Sequence, residues 1–289
     1  MNSSDQDALG HTIEANQAHL QADTARRFAG LERLYGVQGA AHIRSAHVAV
    51  VGIGGVGSWA AEALARSGVG RITLIDFDQV AESNINRQIH AETGTVGMAK
   101  VDAMRNRISQ INPACQVHCI EEFATPENWQ AMATQGGFDA VIDACDQVKT
   151  KTALAVWARQ AAANKVDTLF ITVGAAGGKR RAEKIDIADL SATTHDPLLA
   201  KLRYTLRRSH GAPRDKRMGV PCVYSTESVA GPDASCAVED GQVGDQGGEQ
   251  GGNQSDGSLN CHGYGSVVSV TASFGMCAAG WVLDALAKK

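Results

Sequence analysis

Short apolar runs alternate with longer stretches of helical spacing over most of this chain. The runs at 47–51, 71–75, 115–120, 138–143 and 168–173 read as buried strands. Between them, 58–67, 98–111, 126–134 and 149–164 read as helices; the first ends at Gly68 and the second stops before Pro113. A further helix is expected at 25–45, ahead of the first strand. Strands joined by helical crossovers imply parallel pairing with right-handed connections. The predicted fold is therefore α/β, a doubly wound, Rossmann-like and mostly parallel sheet. Ligands in such sheets sit off the carboxyl ends of the strands, so 52–57, Asp76 and 143–146 are expected to converge.

The texture changes after Gly174. Residues 179–217 are rich in Lys and Arg, and Leu198, Leu202 and Leu206 recur at helical spacing, which predicts a basic helix over 197–208. Residues 230–256 reverse the sign and consist largely of Gly, Gln, Asp and Asn. Such a stretch buries too little apolar surface to offset the cost of ordering, so a disordered insertion is expected near 230–258. From Gly257 to Leu283 there is no Asp, Glu, Lys or Arg. That length would span a membrane, but Ser266, Ser269, Thr271, Ser273 and several glycines interrupt it. A final strand at Val267–Val270 followed by a core helix is the reading preferred to membrane contact. The expected organisation is a flexible segment 1–24, a main domain 25–175, and a C-terminal part 176–289 that completes it as a basic and apolar extension.

Composition narrows the class. A chain of 289 residues with 44% apolar and 20% charged side chains has the make-up of a soluble globule. Its net charge of −4 excludes a general nucleic-acid coat, although the basic stretch at 179–217 remains a local candidate. Residues 1–24 contain no apolar core of a signal peptide. Seven cysteines, an odd number without a C-x-x-C pair, fit a reducing, cytoplasmic setting.

The candidate chemistry begins with Gly52-Ile53-Gly54-Gly55-Val56-Gly57, directly after a strand and before a helix. Gly52, Gly54, Gly55 and Gly57 permit a sharp turn and close backbone approach, and the helix start offers free N–H groups to phosphate. Alone, this pattern points to NAD or FAD. Asp76, 19 residues after Gly57, stands where an acid binds ribose hydroxyls, and Asp78 follows. Asn84, Asn86, Arg87 and Gln88 fill the next loop, and Lys100 opens the next helix. An Arg fork and a Lys point charge together can neutralise a departing pyrophosphate. A dinucleotide enzyme has no evident use for that cluster, whereas cleavage of ATP between its α- and β-phosphates does. Asp143 and Asp146 end a strand; Asp146, beyond its tip, is the better Mg²⁺ ligand, and Asp143 holds the loop. The bland alternatives are a solvated strand-end carboxylate for Asp76 and a solvated first-turn lysine for Lys100. Gly174–Arg180 imitates a P-loop but is one residue short and has Arg where Ser or Thr is required. Cys115, Val117 and Cys119 alternate as core-facing strand residues, with His118 opposite.

Arg27–Gly36, the glycine loop, 76–88 and 143–146, in that order, make residues 25–175 similar to the ubiquitin-activating-like adenylyltransferases typified by ThiF and MoeB. The resemblance implies an ATP-binding adenylation domain that activates a carboxylate and releases pyrophosphate. It places Asn84, Arg87 and Lys100 on phosphates and Asp146 on Mg²⁺. Arg33 would enter a neighbouring subunit's site, which implies a homodimer. The chain lacks that family's paired C-x-x-C zinc ligands. With 196–199, 223–227 and the late apolar segment it instead resembles the tRNA threonylcarbamoyladenosine dehydratase branch. That branch implies ATP-dependent cyclisation of a modified adenosine in tRNA. The basic stretch 179–217, with Arg203, Arg207 and Arg208 as candidate nucleic-acid contacts, gives a physical reason to expect tRNA, the bland alternative being a solvated helix face. It also allows a monovalent cation near the C-terminal region and a cysteine desulfurase or sulfur-acceptor partner. The competing function is activation of the C-terminus of a ubiquitin-like or sulfur-carrier protein.

Overall fold

The computed structural model describes residues 3–233 and 264–289, with the part before residue 23 as backbone only. A long helix, α1 (Ser3–Ser45), leads in, broken by non-helical Gly36. The alternating part follows as β1 (His47–Val51), α2 (Gly57–Arg66), β2 (Arg71–Ile75), α3 (Lys100–Ile111) and β3 (Gln116–Ile120). It continues as α4 (Trp129–Gly136), β4 (Ala140–Asp143), α5 (Val148–Ala163) and β5 (Leu169–Val173). The last elements are β6 (Ile185–Asp189), α6 (Pro197–Ser209), β7 (Pro221–Ser225) and α7 (Val268–Leu286).

The seven strands form one sheet in the order β3-β2-β1-β4-β5-β7-β6. Every pairing is parallel except β6 with β7. Strand side chains alternate between two apolar layers. Val48 and Val50 of β1 join α2, α3 and α7 on one face, while Ala49 and Val51 join α4, α5 and α6 on the other. The chain leaves β1 toward β2 and β3, then returns to place β4 on β1's other side. That reversal of winding opens a crevice at the carboxyl ends of β1 and β4.

The expected alternation of elements from β1 to β5 is present, with shifts of a few residues at the ends. Three expectations need correction. Val267–Val270 is not a strand: α7 begins at Val268, and Val270, Thr271 and Phe274 already face the core at helical spacing. Packing overrides the β preference of its valines. Gly275 lets α7 lie against α2, since a Cβ there would run into the Val56 carbonyl and the Ala60 amide. Secondly, α1 covers most of the segment read as flexible; Ala, Gln and Leu, which recur there, are good helix formers. Thirdly, β6 and β7 extend the sheet beyond the five predicted strands. The insertion expected near 230–258 falls almost entirely outside the described residues.

The apolar helix α7 is long and apolar enough to cross a membrane. In this structure Val270, Phe274, Ala278, Ala279 and Val282 are fully buried in the core layer, as expected for a core helix.

Candidate active site

A cavity of about 520 Å³ occupies the crevice, lined by residues from the β1, β2, β4 and β5 ends, the 84–88 loop, α3, α6 and the segment leading to α7. Its floor is the glycine loop. Gly52 has φ +86°, and a Cβ there would lie 2.9 Å from the Cys145 amide nitrogen, so the two strand-end loops touch only because this residue is glycine. Gly57 abuts the Gly52 carbonyl. Gly54 faces the cavity, with Gln88 Nε2 4.0 Å from where a Cβ would stand, and Gly55 packs beneath the Arg87 stem. No side chain caps the start of α2; Ser58 N donates to the Gly54 carbonyl at 3.1 Å, which leaves its neighbours in the first turn to meet an anion.

Asp76 organises this floor. Its carboxylate accepts from Ile53 N at 2.6 Å and from Asp78 N at 2.8 Å. Burial raises its pKa, while Lys100 and the two amides oppose the rise. Asp78 accepts from Lys100 Nζ at 2.7 Å, and the Lys100 side chain is almost fully buried. Arg87 donates to the Ser83 carbonyl at 2.6 Å and to Asn86 Oδ1 at 3.0 Å. Partial burial lowers its pKa. Gln88 is buried, and its Oε1 finds no partner among the described residues although the residue lines the cavity. An orphaned amide oxygen in a cavity wall suits a ligand that donates to it. Asp146 lines the same cavity from the β4 end, half-buried. A carboxylate there, beside a phosphate-binding floor, fits Mg²⁺, which takes one or two carboxylates and completes its shell with phosphate and water.

Not every candidate residue reaches this space. Asn84 is buried and closes its own turn, its Oδ1 accepting from Ala81 N at 3.1 Å. Asn86 donates to the Ser266 carbonyl at 3.0 Å, so it ties the loop to the C-terminal segment. Neither lines the cavity. Asp143 lies beneath the floor, fully buried with Thr172 Oγ1 at 2.6 Å and Lys151 Nζ at 3.1 Å, as a loop-holding role requires. Arg33 is exposed on α1, away from the cavity of its own chain. The three helix arginines differ. Arg203 donates to the carbonyls of Leu190 and Thr193 at 3.1 and 2.9 Å, and Arg207 to those of Pro213 and Arg214 at 3.3 and 3.1 Å. Arg208 is exposed over the Tyr204 ring, 5.8 Å from its centroid. A shared stripe of solvated cations is therefore not what α6 presents.

Some contributions were invisible in the sequence. Trp59 Nε1 and Thr271 Oγ1 both donate to the Arg87 carbonyl, at 2.9 and 3.4 Å, pinning the loop between α2 and α7. Lys201, from α6, and Tyr264 also line the cavity. Leu198 and Lys201 sit three apart at the start of α6, so the periodicity that marked its core face could have flagged its cavity edge as well.

The described cysteines are poor nucleophiles. Cys145 and Cys222 are pushed well up by burial, and Cys115 to about 12. Cys119 and Cys277 shift the same way. The P-loop imitation at 174–180 holds Lys179 fully buried, 3.8 Å from Asp196, rather than on a phosphate-binding turn.

Fold and cavity together define a nucleotide-binding α/β protein built for a polyphosphate beside carboxylates. The chain belongs to the ThiF family, whose model matches residues 25–289. It is 43% identical over 270 residues to the tRNA threonylcarbamoyladenosine dehydratase of Escherichia coli, covering 91% of this chain and 94% of the relative. The Haemophilus influenzae protein of the same name is 41% identical over 267 residues, with the same coverage. A crystal structure of the E. coli protein in complex with ATP superposes with a TM-score of 0.76 at 41% identity, covering 91% of this chain and 94% of the other. A second, in complex with AMP, gives 0.75.

Proposed function

We propose that this protein uses ATP to dehydrate threonylcarbamoyladenosine in tRNA, closing the modified side chain into a ring. The observation that carries the reading is the assembly of an uncapped helix start, Arg87, Lys100 and Asp146 around one cavity, in a chain so similar to dehydratases of that name.

A carboxylate oxygen of the threonylcarbamoyl group attacks the α-phosphorus of ATP, forming an acyl–phosphate bond as the bond to pyrophosphate breaks. Arg87 and Lys100 neutralise the charge gathering on the leaving group, with the α2 amides supplying further donors. Asp76 and Asp78 take the ribose side, and Gln88 accepts from the bound nucleotide. Asp146 would hold Mg²⁺, which would supply charge neutralisation on the phosphates. A nucleophile of the same threonylcarbamoyladenosine group then attacks the activated carbonyl and expels AMP. The carboxylate oxygen leaves on AMP and the attacking group gives up its proton to solvent, so the RNA loses one water overall. The chemistry requires no thiol, in keeping with the raised pKa values of the described cysteines.

Arg33, on an exposed stretch of α1 beside Leu34 (72% exposed) and Val37 (70% exposed), would serve the site of a second copy in a homodimer. The apolar surface around it supports that pairing. A cytoplasmic setting fits the described cysteines, all of which are free thiols. Neither a monovalent cation nor a sulfur-transfer partner gains support from the described residues.

The adenylation half-reaction is tested by exchange of labelled pyrophosphate into ATP in the presence of substrate tRNA. Exchange that depends on the tRNA supports the reading. Its absence with active, ATP-bound protein would remove the acyl-adenylate from the mechanism.

A further inference from the structure

The cavity is larger than its phosphate floor. On the β5 side, two strands from the glycine loop, it is walled by Gly174–Gly177 after β5 and by Pro197, Leu198 and Lys201 of α6, and Tyr264 lines it too. The wall is rigidly held. Asp196 accepts from Ala175 N at 2.8 Å and Leu199 N at 3.0 Å, joining the β5 exit to the first turn of α6, and buried Lys179 lies 3.8 Å from the same carboxylate. Three cations line the cavity: Arg87, Lys100 and Lys201. Lys100 is engaged by Asp78, and Arg87 donates to Ser83 and Asn86. The exposed Lys201 ammonium makes no ion pair or hydrogen bond with a described residue. A compact cation without a described partner, lining the same cavity from α6 on the β5 side, two strands from the glycine loop in the sheet order, is placed to receive a second anion.

We propose that this half of the cavity is the seat of the carboxylate-bearing nucleoside, and that Lys201 binds its free carboxylate and presents it to the α-phosphate. Tyr264 supplies an aromatic wall against which an extruded base stacks. The inference rests on the function proposed above and deepens it by assigning the acceptor site. In its absence a carboxylate entering beside a triphosphate would meet repulsion from an anion of greater charge. Lys201 offsets that repulsion at entry, and the contact weakens once the carboxylate becomes an acyl-phosphate. It acts on substrate affinity and selectivity more than on the chemical step.

The shared chemistry is an anion, and tRNA offers two: the threonylcarbamoyl carboxylate and the backbone phosphates. The experiment measures Kd of wild type and Lys201→Ala for two otherwise identical tRNAs, one carrying the threonylcarbamoyl group and one lacking it. A carboxylate contact predicts that wild type prefers the modified tRNA, that Lys201→Ala weakens its binding about tenfold, and that affinity for the unmodified tRNA stays the same. Lys201→Arg restores most of the preference. ATP affinity, measured in parallel, is unchanged and shows that the wall is intact. Equal weakening on both tRNAs would assign Lys201 to a phosphate and overturn the proposal, as would no weakening on either. Wild-type protein that fails to convert the modified tRNA at all would instead sink the functional reading itself.

Discussion

The Asp76 carboxylate accepts the Ile53 amide at 2.6 Å, so the end of β2 sets the shape of the glycine loop that follows β1. Its other oxygen holds Asp78 N at 2.8 Å and thereby aims Asp78 toward Lys100. Replacing Asp76 by Ala leaves two amides without their acceptor in a buried place, a loss of about 1–3 kcal/mol in preorganisation. ATP affinity should fall by roughly tenfold or more, measurable by calorimetry. Undiminished ATP binding would show that the loop keeps its shape without Asp76.

Lys100→Ala is expected to lower kcat by about 10²–10³ while the protein melts near the wild-type temperature. Asp78→Ala removes its partner but leaves the cation in place, so the loss should be smaller. Rates followed as AMP release, with thermal melts alongside, decide the matter. A larger loss for Asp78→Ala would make the carboxylate, not the ammonium, the group that matters most.

Much of this arrangement was legible in the sequence. The strands end where the apolar runs end, and the order of connections forces the β1 and β4 tips together; Gly52, Asp76 and Asp146 converge for that reason. What the sequence could not show is which side of a loop a polar residue faces. Asn84 and Asn86 share the 84–88 loop with Arg87 and Gln88, yet one closes a turn and the other ties down the C-terminal segment. Helical spacing likewise separates the apolar face of α6 from its polar face, but does not reveal that Arg203 and Arg207 find loop carbonyls. Lys201 was hidden by its company among other basic residues.

That difference yields a prediction for RNA binding. Arg208→Glu should weaken tRNA binding with little effect on melting, since among the described residues its guanidinium contacts only Tyr204 at the surface. Arg203→Ala should act mainly on stability, because the carbonyls of buried Leu190 and Thr193 lose a half-buried donor; about 1–3 kcal/mol is expected. Filter binding and thermal melts separate the two. Equal effects of both variants on tRNA affinity at unchanged stability would restore a continuous basic face.

The buried pair beneath the floor predicts a stability effect. Burial opposes the charge on Lys151, but Asp143 beside it prevails and leaves the ammonium above its ordinary pKa. Lys151→Met strands the Asp143 carboxylate without its cation, at a cost of about 3–5 kcal/mol. Adding Asp143→Leu should recover much of that loss. Denaturant melts of the two single variants and the double variant test this, and strictly additive losses would deny the coupling.

His90 gives the pH dependence. Burial, with Lys100 and Arg107 nearby, lowers its pKa to about 4, and neither ring nitrogen has a partner among the described residues. The unfolded chain therefore binds a proton that the folded chain refuses. The stability is fully present above the ordinary value of 6.5 and is lost as pH falls toward about 4. The limiting slope from this group is roughly 1.4 kcal/mol per pH unit. His90→Leu should flatten that acid limb, read from denaturant melts between those two pH values. An unchanged slope would assign the limb to other groups.

The central assignment is tested most directly by incubating the protein with ATP and tRNA that carries threonylcarbamoyladenosine, then weighing the released nucleosides. The account predicts a nucleoside lighter by one water, formed together with AMP and abolished by Arg87→Ala or Asp146→Ala. A nucleoside of unchanged mass, in the presence of protein that binds ATP and the same tRNA, would contradict it.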